Sequence, residues 1–208
     1  MYKIISFSLW GDNPKYTIGA IKNAELAQDI YPEWICRFYL GNDVPVDISE
    51  ALLKEGAEVV PMGDSGWNGM FWRFFAANGD DIMISRDTDS RLGTREKAAV
   101  DEWLASDKDF HIMRDHPYHR TEILGGMWGV RNGLLENIDR MILDYNADDF
   151  DNKYQVDQNF LREVIYPIVK DNSMIHDEFF EKKPFPTPRI NSQDFVGQVY
   201  DENEVTQF

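Results

Sequence analysis

Short apolar segments alternate with segments of helical periodicity through the first sixty residues of the chain. The pattern predicts, in chain order, a strand, a helix, a strand, a helix and a strand at residues 3–9, 16–30, 34–40, 47–55 and 57–61. Such alternation is typical of an open, mainly parallel sheet flanked by helices. Ligands in such sheets bind beyond the carboxyl ends of the strands. The sequence therefore predicts an α/β fold with its site at that edge.

The rest of the chain continues this pattern and then becomes irregular. The further predicted elements are helices at residues 70–77, 95–104, 134–145 and 155–164 and strands at residues 81–85 and 110–113. An acidic loop is predicted at residues 147–152, and the Pro-rich, polar segment from residue 182 is predicted to be irregular. No internal repeat or linker divides the sequence, so residues 1–208 are predicted to form a single domain.

Composition excludes several classes of protein. Because phosphate backbones are held by clustered lysines and arginines, a formal net charge of -16 and a pI near 4.5 argue against a nucleic-acid partner. A hydrophobic content of 43% argues against disorder. The sequence has neither a signal peptide nor an apolar stretch of about 18 residues, which predicts a cytoplasmic protein without a transmembrane segment. The single cysteine, Cys36, lies in an apolar run and is predicted to be a buried, inert thiol.

The segment DDIMISRDTDSRL places two carboxylates directly after a predicted strand. Asp87, Thr88 and Asp89 follow the apolar run, and Arg86 and Arg91 flank them. Side chains two residues apart in extended chain lie on the same side, so both aspartates can reach one cation. Their hard oxygens suit Mg²⁺ or Mn²⁺, which also accept the oxygens of a substrate diphosphate. The sequence predicts a metal site here; a solvated turn in an acidic chain is the alternative.

A third metal ligand is predicted from a histidine late in the chain. His176 follows a short apolar stretch, and neutral imidazole is a good ligand for Mn²⁺. A surface or capping role for this histidine is an equal alternative. The other histidines, His111, His116 and His119, lack the spacing of a zinc site, so they are predicted to contact substrate or to form structural hydrogen bonds.

Four segments, FWRF, RDTDSR, MRDHP and GGMWG, follow a first strand that ends in SFSLWG. In this order they resemble a glycosyltransferase of the GT-A fold. The similarity is strongest over residues 67–130, and it is to small bacterial and large-DNA-virus enzymes that use nucleotide-diphosphate sugars, including algal-virus enzymes that build capsid glycans. The resemblance implies a single GT-A-like (Rossmann-like) α/β domain. It implies a nucleotide-binding half at about residues 1–92 and a half at about 93–208 that binds sugar and acceptor.

The resemblance also implies roles for individual residues. Asp87 and Asp89 would form the DxD motif through which Mn²⁺ or Mg²⁺ holds the donor diphosphate, and His176 would join that metal. The other residues implied in nucleotide and donor binding are Ser6, Phe7, Ser8, Trp10, Tyr16, Arg73, Arg86, Gly125, Gly126 and Trp128. The sequence departs from the best-known retaining families in lacking a clear late His-x-x-Gly-x-x-Lys phosphate motif.

Transfer of a sugar from a nucleoside diphosphate has chemical requirements of its own. A fixed divalent cation and arginines can stabilise the charge that develops on the leaving diphosphate. An inverting enzyme also needs a carboxylate base to accept the proton of the acceptor hydroxyl, whereas a retaining enzyme needs a different group. Asp157, at the start of a predicted helix, is the first candidate for the base, and Asp115 is the second. The alternative for Asp157 is a helix N-terminal carboxylate favoured by the dipole.

Large aromatic side chains fill cores more often than they bind ligands. Trp72, at helical spacing from Phe75, is therefore predicted to lie in the core, whereas Trp128, between glycines, is a candidate to stack on a ligand.

The function predicted from the sequence is transfer of a sugar from a UDP-sugar donor to a glycan hydroxyl. Two alternatives stay open. One is a metal-dependent nucleotidyltransferase or phosphohydrolase, which also needs paired carboxylates beside a parallel sheet. The other is a non-catalytic module that binds sugar.

Overall fold

A computed structural model describes residues 1–63, 66–145 and 155–207. The described residues form one seven-stranded sheet in the order β3-β2-β1-β4-β6-β5-β7. The strands are β1 (Lys3–Leu9), β2 (Ile35–Leu40), β3 (Glu58–Pro61), β4 (Ile82–Ser85), β5 (Phe110–Arg114), β6 (Trp128–Val130) and β7 (Ser173–Asp177). Only β6 runs antiparallel to its neighbours in this sheet. The predicted mainly parallel α/β sheet is confirmed.

Helices connect most of the strands, but the described residues between β5 and β6 contain no helix. The helices are α1 (Pro14–Ile30), α2 (Val46–Lys54), α3 (Thr94–Ala105), α4 (Ile138–Asp144), α5 (Val156–Phe160) and α6 (Tyr166–Val169). The described part of the chain also contains two 3₁₀ segments, Trp67–Ala77 and Lys170–Asn172, and a π-helical turn, Leu161–Ile165. The predicted acidic loop at residues 147–152 lies outside the described residues. None of the helices that the structure describes is both long and apolar enough to cross a membrane.

Each predicted strand matches an observed strand to within one residue at either end, but β6 and β7 were not predicted. β6 has three residues, one of them Gly129, so it carries no alternation to detect. The helix predicted at residues 70–77 is instead 3₁₀. Side chains of β1 bind its backbone there: Ser8 Oγ accepts from the Arg73 N–H (2.8 Å), and Ser6 Oγ donates to the Arg73 carbonyl (2.7 Å).

Apolar side chains cover both faces of the sheet. Phe7 and Phe38 stack at 4.6 Å in the cluster on one face, and Trp72 lies in the cluster on the other, where the sequence predicted a core position. Cys36 is buried, as predicted. Burial of each large apolar side chain contributes about 1.5–3 kcal/mol, so the two clusters fix the strands firmly relative to one another.

The register of β1 and β4 positions the site. The two strands are parallel neighbours in which Ser6 pairs with Ser85, and the Arg86 N–H extends the ladder to the Ser6 carbonyl (3.0 Å). The loops that follow the two strands therefore start from the same edge of the sheet. One loop leads into α1 and the other carries Asp87 and Asp89.

Candidate active site

A cavity of about 650 Å³ lies at the carboxyl edge of β1 and β4. This is the location that the sequence predicted, and the volume is within the range of small-molecule sites. The predicted site residues that line it are Ser8, Trp10, Tyr16, Arg73, Asp87, Asp89, Gly125 and Asp157. The other lining residues are Leu9, Gly11, Asp12, Asn13, Met70, Thr88, His119, Leu124, Met127, Gln158, Gly197 and Val199.

Hydrogen bonds from a side chain of α1 hold the turn that carries the two aspartates. The Asn23 amide donates to the carbonyls of Thr88 (3.3 Å) and Ser90 (2.8 Å) and accepts from the Leu92 N–H (3.0 Å). Gly19 lets the turn pack closely, because a Cβ there would come within 3.0 Å of the Thr88 carbonyl. Sequence reasoning missed Asn23. A polar residue on the buried, alanine-rich face of a predicted helix was the available signal.

Three of the cavity carboxylates, those of Asp87, Asp89 and Asp157, are paired with basic side chains. Arg73 bridges two of them, through Nη1 to Asp87 Oδ1 (3.0 Å) and through Nη2 to Asp157 Oδ2 (2.9 Å). Lys15 Nζ lies 2.9 Å from Asp89 Oδ2. Lys15 was not predicted from the sequence to lie at this site. The acidic cavity of this acidic chain is thus partly neutralised by its own side chains.

Two of these carboxylates titrate abnormally. Burial raises the pKa of Asp157, whose residue is only 5% exposed; Arg73 opposes this shift and the charge of Asp87 adds to it. Burial likewise raises the pKa of Asp89, the charge of Asp87 raises it further, and Lys15 opposes the shift. The charge of Asp87 thus repels both Asp89 and Asp157, and a cation bound beside Asp87 would reduce this repulsion.

The chemistry of the donor set fits a hard divalent cation. Asp87 and Asp89 provide carboxylate oxygens on the cavity wall, and a cation would relieve the repulsion that raises the pKa of Asp89. Within the described part of the chain, no group of three or more His, Cys, Asp or Glu side chains is arranged to hold a metal. A cation here would therefore take its other ligands from water and a bound molecule, as Mg²⁺ commonly does.

A pair of glycines makes room for the charged side chains. A Cβ on Gly126 would come within 3.0 Å of both Asp87 Oδ2 and the Asp87 backbone nitrogen. A Cβ on Gly125 would come within 3.0 Å of Arg73 Nη2 and Asp157 Oδ2. Gly125 lines the cavity, whereas Gly126 lies behind Asp87. The two glycines are thus explained by close packing against the ion pairs.

Gly126→Ala should lower the free energy of unfolding by about 1–3 kcal/mol, because the added methyl overlaps backbone as well as side-chain atoms of Asp87. Gly79→Ala is the matched control: Gly79 is exposed, and a Cβ there meets no atom within 4 Å. Gly79→Ala should change the free energy of unfolding by no more than about 0.5 kcal/mol. Urea denaturation of both variants measures the difference, and equal stabilities would refute the packing role of Gly126.

The structure does not bring His176 to the two aspartates. His176 lies on β7, three strand spacings or about 14 Å from β4 across the sheet. It is 2% exposed, its Nδ1 is 2.8 Å from His111 Nε2, and its Nε2 is 3.2 Å from a Glu102 oxygen. Neither histidine lines the cavity. These surroundings do not correspond to the metal role, and because His176 is buried within β7 they do not correspond to the surface or capping alternative either.

Buried histidines make folding sensitive to acid. Burial, then the charges of His176 and Arg86, lower the pKa of His111 well below its ordinary value of 6.5. His111 therefore stays neutral when folded but takes up a proton when unfolded below about pH 6.5. Its share of the unfolding free energy is fully present above that pH and falls by about 1 kcal/mol as the pH drops to about 5.5.

His111→Phe should reduce this loss of stability on acidification, because phenylalanine keeps the stacking on Trp103 but does not titrate. Chemical denaturation at pH 7.5, 6.5 and 5.5 measures the slope of unfolding free energy against pH. The same slope in the variant and the wild-type protein would show that His111 is not a source of the loss of stability on acidification.

Two residues expected at the donor site lie in the interior instead. Arg86 is 2% exposed and its Nε donates to Glu96 (3.2 Å), beneath α3. Trp128 is fully buried, stacked on Phe110 at 5.4 Å and beside Phe74. Trp128 and Gly129 belong to β6, which pairs on both edges inside the sheet, and the Trp128 ring lies in the core and not in the cavity lining.

Three further predicted residues also lie outside the cavity lining. Phe7 is in the core, and Ser6 is fully buried and acts on the backbone of Arg73. Asp115 is fully buried, where it accepts from Arg95 (3.1 Å) and Arg189 (2.9 Å). The structure therefore places Asp115 as an anchor for the C-terminal segment and leaves Asp157 as the candidate base on the cavity wall.

The C-terminal segment forms part of the cavity wall, which the sequence did not predict. The Tyr200 N–H donates to the Asp89 carbonyl (2.8 Å), and Gly197 and Val199 line the cavity. Glu204 pairs with Arg91 at 2.7 Å, which joins the segment to the turn that carries the aspartates.

Comparison of this chain with known proteins gives evidence about its fold. No protein-family model matches the chain, and no curated protein matches it. Among solved structures, glucosyl-3-phosphoglycerate synthase of Mycobacterium tuberculosis is similar at a TM-score of 0.52 and 15% identity, over 92% of this chain and 74% of that one. A structure of that synthase in complex with Mn²⁺, UDP-glucose and phosphoglyceric acid gives a TM-score of 0.50 at 15% identity, over 84% and 68% of the two chains.

Two other solved structures match nearly all of both chains. A glycosyltransferase involved in the glycosylation of the major capsid of PBCV-1 gives a TM-score of 0.50 and 17% identity, over 89% of this chain and 91% of that one. 4-Diphosphocytidyl-2C-methyl-D-erythritol synthase of Anaerococcus prevotii gives 0.51 and 9%, over 90% and 91%. At these identities the likeness shows the fold alone. The predicted GT-A-like α/β fold is confirmed.

Proposed function

We propose that this protein is a glycosyltransferase that moves a sugar from a nucleotide-diphosphate donor, a UDP-sugar, to a hydroxyl group of a glycan. One observation carries the proposal: Asp87, Asp89, Arg73 and Asp157 converge on one cavity at the carboxyl edge of a GT-A-like sheet. Paired carboxylates, a guanidinium and a buried carboxylate are the groups that this transfer requires.

The donor diphosphate is assigned to the side of the cavity next to Asp87 and Asp89. These two residues would hold Mn²⁺ or Mg²⁺ together with the diphosphate, and the cation would stabilise negative charge on the leaving group. The Mn²⁺ and UDP-glucose in the complex of the mycobacterial synthase support this choice of donor and metal. Arg73 provides further positive charge beside Asp87.

The nucleoside is assigned to the loop between β1 and α1. Trp10 and Tyr16 line that part of the cavity, and the Tyr16 side chain is partly exposed, as stacking on a base requires. Residues 1–92 would thus bind the nucleotide. Residues 93–208, which include Gly125, Asp157 and the C-terminal segment, would bind the sugar and the acceptor.

Asp157 is assigned as the general base. Its carboxylate lines the cavity, Arg73 holds one of its oxygens at 2.9 Å, and the Gln158 N–H donates to the other at 2.9 Å. In the transfer, the acceptor hydroxyl would give its proton to Asp157 as the hydroxyl oxygen attacks the anomeric carbon, and the bond from that carbon to the diphosphate would break and release UDP. The raised pKa of Asp157 brings its basicity closer to what this step needs. A base in this role corresponds to an inverting outcome.

The proposal is tested by incubating the protein with a panel of UDP-sugars and Mn²⁺ and identifying the products. Release of UDP supports the glycosyltransferase. Release of pyrophosphate or inorganic phosphate would instead support a nucleotidyltransferase or phosphohydrolase. UDP-sugar binding without any product would support a sugar-binding module.

A further inference from the structure

Lys15 is a basic residue that is not part of the cavity lining itself but contacts the lining residue Asp89. It is the second residue of α1, and its Nζ lies 2.9 Å from Asp89 Oδ2. The Lys15 side chain is 27% exposed and that of Asp89 is 15% exposed, so the pair is partly shielded from water. The ammonium group therefore occupies a carboxylate oxygen that the proposed function assigns to a divalent cation.

The position of Lys15 is unfavourable for the helix itself. The first turn of a helix favours negative charge, yet the first turn of α1 contains no acidic residue and does contain this lysine. Helix stability therefore does not explain a cation here. The carboxylate of Asp89 does, and an anion in the neighbouring cavity would also be attracted by the helix N-terminus and by the ammonium.

The two basic partners of the aspartates differ in their freedom to move. Arg73 is 7% exposed, and its backbone is fixed by hydrogen bonds from β1, so it is built into the wall. Lys15 is more exposed and carries its charge on a flexible four-carbon stem. Of the two, Lys15 is the one whose side chain can exchange partners.

We propose that Lys15 is a charge switch of the donor site, which pairs with Asp89 when no donor is bound and with the donor diphosphate when a divalent cation occupies Asp89. The inference rests on the proposed function. An ammonium and a divalent cation on the Asp89 carboxylate repel each other, so each weakens the binding of the other. Lysine is a good partner for phosphate oxygens as a point charge, and the diphosphate would lie beside it.

The switch makes the metal and the nucleotide depend on each other. Without nucleotide, Lys15 competes with the cation for Asp89, so the cation binds weakly by itself. With nucleotide, Lys15 gains phosphate oxygens in place of Asp89 and the competition ends. Binding of UDP and Mn²⁺ is therefore cooperative, and Lys15 is a positioning and selectivity residue for the donor complex.

Lys15→Met tests this by isothermal titration calorimetry with two probes, Mn²⁺ alone and UDP at saturating Mn²⁺. The variant should bind Mn²⁺ alone about fivefold more tightly, since a competing partner of Asp89 is gone. It should bind UDP in the presence of Mn²⁺ roughly tenfold more weakly, since a charged partner of the phosphates is gone. A purely structural role would weaken both.

Lys22→Met is the matched control for net charge. Lys22 is on the same helix and pairs with Glu25 at 2.8 Å, with its side chain 43% exposed. It should change neither affinity by more than about twofold. If Lys15→Met behaves like Lys22→Met while the wild-type protein binds UDP with Mn²⁺, the switch is refuted and the proposed function stands. If the wild-type protein does not bind UDP, both are refuted.

Discussion

Asp89→Asn should reduce the affinity for UDP in the presence of Mn²⁺ by at least about tenfold, or about 1.4 kcal/mol, and lower kcat by about 100-fold or more. The substitution keeps the shape of the side chain but removes one of the two charges that would hold the cation. The turn itself should persist, because Asn23 holds its carbonyls from α1. Calorimetry and UDP release from the UDP-sugar donor provide the two measurements.

Asp101→Asn is the control for this substitution. Asp101 also pairs with a lysine, Lys97, at 2.6 Å, but on the exposed face of α3 and away from the cavity lining. Its UDP affinity should equal that of the wild-type protein. Unchanged Mn²⁺-dependent UDP binding in Asp89→Asn would remove Asp89 from the metal site.

Asp157→Asn should lower kcat by roughly 100- to 10,000-fold while leaving UDP affinity within about threefold of the wild-type value. The amide cannot take up the proton of the acceptor, but it can still accept a hydrogen bond from Arg73. Because the base acts on the acceptor and not on the nucleotide, the loss belongs to kcat. Steady-state kinetics with the UDP-sugar that is turned over, and calorimetry with UDP, separate the two quantities.

The alternative for Asp157 is a carboxylate that serves only the helix dipole. Asp139→Asn is the control for it, because Asp139 is an exposed aspartate in the first turn of α4, as Asp157 is in the first turn of α5. Loss of the dipole interaction costs about 0.3–1 kcal/mol of stability and leaves kcat unchanged. If Asp157→Asn shows only a stability loss of that size, Asp157 is not the base.

The sequence predicted those parts of the site that follow directly from strand order. β1 and β4 were visible as apolar runs, so Asp87 and Asp89 were expected where parallel strands end, and the structure has them there. Asp157 was visible as a carboxylate that begins a helix. For these aspartates, the local sequence pattern and the position in the fold indicate the same place in the structure.

The positions of other residues depend on tertiary contacts, so they could not be predicted from the sequence. Trp128 and its glycines are typical of a ligand pocket, but β6 is too short to be recognised, and its pairing turns the ring into the core. Arg86 stands beside the aspartates in sequence, yet its guanidinium is drawn inward by Glu96 on α3. Lys15 stands far from Asp89 in sequence, and only the packing of α1 against the turn brings their charges together.

The most direct test of a metal-assisted UDP site is a calorimetric titration of the wild-type protein with UDP, once with saturating Mn²⁺ and once with a chelator. A metal-assisted site requires UDP to bind at least about tenfold more tightly with Mn²⁺ than without it. Equal affinity under the two conditions, or no binding under either, would contradict it.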